Sequence, residues 1–172
     1  MERPPGGYVA SMAVQMETEQ ELVRGLVRGY DAGFPIAGEL ERYGVIRGRR
    51  FVSLADEYAA YLVAEALGGE RQGDRRVTIE GGHGITVQVS AVRRTAARLP
   101  KYFSVDYADQ GRDFHTLALV VFDSDWSVYD SYMILRADLG RMVVPGKKRR
   151  GHRLPIGRGW RSDPAVLPLR LT

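Results

Sequence analysis

Gln88 and Ser90 stand two positions apart in Ile85–Val92, an alternating run that reads as a β-strand, so both side chains should leave the same face of a sheet. Asp74 lies just before the preceding alternating run, and Glu57 sits on a helical stretch further upstream. Oxygen atoms converging from a helix, a turn and a strand are what a hard divalent cation takes as ligands. An amine two residues further along the strand can polarise the water that attacks beside such a metal. Each residue also has a purely structural use. Gln88 can hydrogen-bond inside the sheet, Asp74 can belong to a Gly73-Asp74 turn, and Glu57 can flank a solvated helix.

The elements that must carry these residues follow from periodicity. Leu22, Val23, Leu26 and Val27 recur at helical spacing from Glu17 onward, and a short second helix is predicted over Ile36–Tyr43. Ser53 to Gly69 is the strongest helix: Ser53 as cap, Asp56 reaching back, Gly68 as terminator, and Leu54, Tyr58, Tyr61 and Leu62 on one apolar stripe with Glu57 at its border. Beyond Gly73 the period drops to two. Arg76–Glu80 and Ile85–Val92 predict one hairpin; Thr116–Phe122, almost wholly apolar, and Trp126–Ile134 predict a second around Asp123-Ser124-Asp125. A short helix is expected over Arg136–Val144, and the Pro/Gly-rich opening, residues 1–14, is expected to be a mobile end. The fold class is therefore α/β, a mixed central sheet containing two hairpins and flanked by helices.

The acid on the long helix, Asp before a strand, Gln two places before Ser90, and the apolar hairpin Leu117-Ala-Leu-Val-Val-Phe-Asp-Ser-Asp-Trp-Ser-Val128 together resemble the PD-(D/E)XK restriction-endonuclease-like superfamily. The resemblance spans about residues 53–140. It implies a magnesium site for phosphodiester hydrolysis, with Glu57 as the helix acid, Asp74 and Gln88 as metal ligands, and Ser90 where the catalytic lysine belongs. Ser90 carries no charge and cannot act as that lysine. Arg93, Arg94 and Lys101 are the nearest cations in sequence that could replace it in space. The motif is thus degenerate, and the implied protein is a DNA-binding or regulatory relative, or a weakened magnesium-dependent nuclease.

Charge supports a polyanionic partner. The chain has 172 residues and a net charge of +4, yet residues 141–172 hold nine Lys/Arg against Asp163 alone, or +8, leaving −4 elsewhere. Lys147, Lys148, Arg149, Arg150 and Arg153, with Arg93, Arg94 and Lys101, are the candidate nucleic-acid contacts, since clustered cations release condensed counterions. The alternative partner is an acidic protein or a second copy of the chain, met by the basic segment and the helices of residues 17–44. The absence of cysteine excludes disulfide scaffolds, thiolate zinc and cysteine nucleophiles, and three scattered histidines make a poor metal centre. No apolar run reaches membrane-spanning length, so a cytoplasmic protein is expected. The expected organisation is an N-terminal piece (1–16), a helical extension (17–50), the α/β core (51–144) and a basic C-terminal segment (145–172).

Overall fold

The computed structural model describes residues 6–47, 53–72, 75–79, 84–95, 100–105, 114–146, 151–156 and 159–171, with side chains from Glu19 onward. It opens with α1 (Gly6–Asp31) and α2 (Ala37–Arg42), followed by α3 (Leu54–Leu67). The ends of α3 are set locally. Ser53 is extended, its hydroxyl accepts from the Asp56 amide at 3.0 Å and donates to the Asp56 carboxylate at 2.7 Å. At the other end Gly68 takes φ +61°, a left-handed conformation that costs glycine little, and the Gly69 amide closes onto the Ala64 carbonyl. Between them, every residue from Asp56 to Ala64 is buried. A helix buried all round needs cover on both sides. The sheet supplies one side, and Val23, Val27, Leu40 and Val45 from the α1–α2 layer join the same core.

Helix α1 begins at Gly6, within the stretch expected to be a mobile end. No proline follows Pro5 before Asp31, and Val23 and Val27 anchor the far half in the core, so the helix can extend outward from a packed segment.

The strands are β1 (Glu70–Gln72), β2 (Arg76–Ile79), β3 (Ile85–Arg93), β4 (Tyr102–Val105), β5 (Thr116–Phe122), β6 (Val128–Leu135), β7 (Val144–Pro145), β8 (His152–Pro155) and β9 (Val166–Pro168), with α4 (Arg136–Leu139) after β6. The main sheet is mixed and six-stranded, in the order β1-β2-β3-β5-β6-β9. Both predicted hairpins are present, and β3 lies parallel to β5, which places the two hairpins in one sheet. A second sheet, β4-β8-β7, is antiparallel.

Strand β5 is buried at every position, as its unbroken apolar run requires. Its side chains alternate between two cores. Ala118, Val120 and Phe122 pack with α3; Leu117, Leu119 and Val121 pack with Phe103 and Leu154 of the second sheet. The C-terminal segment is built into this frame: β9 pairs with β6, and Leu169 and Leu171 pack on the α3 core. Among the described residues no helix is long and apolar enough to cross a membrane.

Candidate functional site

Strand alternation decides where each expected site residue lies. In register with β5, Gln88 stands beside Leu117 and Ser90 beside Leu119, whereas Val89 stands beside Ala118. Gln88 and Ser90 therefore share one face, as expected, and it is the face toward the second sheet. Ser90 donates its hydroxyl to the Ser104 carbonyl of β4 at 2.7 Å, a bond that ties the two sheets together. Gln88 is 4 % exposed, and its amide has no hydrogen-bond partner among the described residues.

Glu57 is held on the opposite face, where α3 packs. Its carboxylate accepts from Arg71 of β1 at 2.5 Å, with both side chains almost wholly buried. The same guanidinium also donates to the carbonyls of Gly44 and Val45, just beyond α2. Burial holds the Arg71 pKa below its ordinary range, and the Glu57 hydrogen bond and charge oppose that. One arginine thus joins three elements: α3 through its acid, β1 by its backbone, and the end of α2 through otherwise orphaned carbonyls.

Asp56, beside Glu57, has a role that spacing did not suggest. Strand β3 outruns its partner β2. The Val89 amide finds the Arg75 carbonyl at 2.8 Å, and the Ala91 amide finds the Asp56 carboxylate at 2.8 Å. Arg75, at φ +62°, reaches the other Asp56 oxygen at 3.3 Å. A side-chain carboxylate thereby continues a ladder that backbone no longer supplies. The acid at the third position of α3 is visible in sequence as a capping residue; its second partner, thirty-five positions away, is not.

Asp74 lies outside the described residues. Of the two expected magnesium ligands Gln88 is described, on the second-sheet face, while the helix acid Glu57 is across the sheet and paired with Arg71.

The candidate cations divide by partner. Arg93 bonds Asp31 of α1 and the Ser124 carbonyl, both at 2.6 Å, and covers the Trp126 ring at 4.6 Å. Arg94 grips Asp123 through two hydrogen bonds at 3.1 and 2.8 Å and stacks on Tyr129 at 3.7 Å. That grip holds the Asp123 carboxyl below its usual range. Both arginines are thus fasteners around the β5–β6 turn. Lys101 is exposed, and its carbonyl accepts from the Ile156 amide at 2.9 Å. Arg153 lies over the Tyr102 ring at 4.2 Å and has no acidic partner among the described residues.

Lys147, Lys148, Arg149 and Arg150 are outside the described residues, but their flanks are clear. Gly146 donates to the Gly151 carbonyl at 2.7 Å, so these four positions join β7 to β8. Trp160 packs edge-on against Tyr132 and Phe103, which makes it an anchor for the C-terminal segment. The remaining histidine and turn residues have local uses: His115 accepts from the Thr86 amide at 3.1 Å, and Asp125 accepts from Ser127. His83 lies outside the described residues. Compared with known proteins, the chain matches no family model and no curated protein.

Proposed function

We propose that this chain is a restriction-endonuclease-like domain that associates with nucleic acid, DNA first, and acts by binding and not by cleavage. The observation that carries the reading is the setting of the basic run. Lys147–Arg150 fall between the paired ends of β7 and β8, and Arg153, on the same hairpin, stacks on the exposed Tyr102 with no described acid to neutralise it. Cations grouped on a two-stranded ribbon meet a phosphate backbone without needing sequence contacts. The loss of cleavage is supported by the commitments of two motif residues, Glu57 to Arg71 and Ser90 to the second sheet.

The test is the salt dependence of binding to a random-sequence DNA duplex. Affinity should fall steeply as salt rises. Replacing Lys147, Lys148, Arg149 and Arg150 with alanine should flatten the logarithmic slope by roughly 3 to 4, at about 0.9 for each phosphate no longer neutralised. Salt-insensitive binding, or an unchanged slope in the variant, refutes the assignment. Magnesium-supported cleavage that Asp74→Ala abolishes would overturn the non-catalytic half of the proposal.

A further inference from the structure

On the α3 side of the main sheet, away from Gln88 and Ser90, a cavity of about 340 Å3 opens between α1, α3, the β5–β6 turn and the C-terminal residues. Its wall is aromatic and aliphatic: Tyr58 and Leu62 from α3, Trp126 from the turn and Leu171 from the C-terminal segment. Arg24 and the exposed Glu21, both on α1, supply its charge.

Tyr58 is the informative residue. It is 3 % exposed, its ring stacks on Phe122 at 5.1 Å and meets Trp126 edge-on at 6.3 Å, yet its hydroxyl has no hydrogen-bond partner among the described residues. That hydroxyl keeps some access to solvent at the cavity, so water or a ligand can accept from it. Burial pushes the Tyr58 pKa up to about 12, so the phenol stays protonated and can donate across the neutral range. Arg24 stands near enough for its charge to act on Tyr58 and on Asp125, but it forms no ion pair among the described residues. Asp125 is already bonded to Ser127. A donor and an unpaired cation thus share one mouth, above an apolar floor of a volume that suits a small molecule.

We propose that this cavity binds a small organic anion, a carboxylate or phosphate ester on a flat apolar body. The Tyr58 hydroxyl and the Arg24 guanidinium hold the charged end, and Trp126, Leu62 and Leu171 cover the body. The site is separate from the basic hairpin, and neither proposal needs the other.

The chain has two tryptophans, Trp126 at the cavity and Trp160 in the other core, so the indole N–H resonances of the full-length 15N-labelled protein give a probe and an internal reference. Phenyl phosphate is titrated, with inorganic phosphate in parallel. The Trp126 resonance should move and saturate, with Trp160 unmoved. Arg24→Gln should weaken binding about tenfold or more, as loss of a charge-assisted hydrogen bond does. Tyr58→Phe, which keeps the ring stack, should weaken it several-fold while leaving the rest of the spectrum intact. The proposal falls if neither phenyl phosphate nor 2-naphthoate saturates the Trp126 shift, or if a folded Arg24→Gln protein binds as well as the parent. It also falls if inorganic phosphate binds as tightly as phenyl phosphate, because the apolar wall would then contribute nothing.

Discussion

Replacing Glu57 with glutamine removes one charge from a pair whose side chains are 5 % and 6 % exposed. Arg71 would keep the Gly44 and Val45 carbonyls and could still meet an amide oxygen, but its charge would lie buried without a counter-ion. Removing one partner of a buried pair costs about 3–5 kcal/mol, and the retained hydrogen bonds place Glu57→Gln at the lower end, about 3 kcal/mol. Arg71→Met is worse, about 5 kcal/mol, because it strands a carboxylate and two carbonyls together. Changing both residues, to leucine and methionine, should cost less than either single change, since no charge is then left unpaired. Urea unfolding followed by far-UV circular dichroism reads all three. With an m value of about 2 kcal/mol/M, a loss of about 3 kcal/mol lowers the midpoint by roughly 1.5 M. That is a large part of the ~5–15 kcal/mol stability of an ordinary domain. A Glu57→Gln protein of parental stability would refute the structural role. Loss of DNA binding or cleavage at unchanged stability would return Glu57 to a functional site.

Asp56→Ala should strand the Ala91 amide and cost about 1–3 kcal/mol, with hydrogen exchange accelerated at Ala91 before the rest of β3; uniform exchange would contradict the side-chain ladder. Asp163 is held down to about 2 by its two hydrogen bonds from Arg141, so its contribution is in place above an unfolded-state pKa of ~3.9 and is lost as pH falls through about 2. In Arg141→Gln, a carbon-detected titration should find the Asp163 carboxyl returned toward the ordinary range. Tyr58, Tyr61 and Tyr132 are pushed up to about 12, chiefly by burial. Below pH ~10 both folded and unfolded chains keep these phenols protonated; above it only the unfolded chain loses the protons, so stability should decline from pH ~10 until about 12. Ultraviolet titration should find Tyr58, Tyr61 and Tyr132 ionising late, and Tyr58→Phe should remove one of these late steps.

Local chemistry made much of the fold legible. Ser53, Asp56 and Gly68 mark the ends of α3 through bonds within a few residues of themselves, and period-two runs mark β2, β3 and β6. The strands β1, β7 and β9 escaped because two or three residues are too few to show a period, and β4 and β8 because what makes them strands is each other, far along the chain. The candidate site was half readable: alternation placed Gln88 and Ser90 on one face, and they are on one face.

Which face that was, only the assembled molecule decided. A period says which side chains leave a strand together, but carries no information about what is packed above them, because that depends on contacts among distant segments. Parallel pairing of β3 with β5 and the docking of α3 on the Val87–Val89 side put Glu57 across the sheet from Gln88. Arg71, fourteen residues from Glu57, then took up the carboxylate. Composition likewise located an excess of positive charge after residue 140, but the antiparallel pairing of β7 with β8, which sets Arg153 opposite Val144, was decided by the fold.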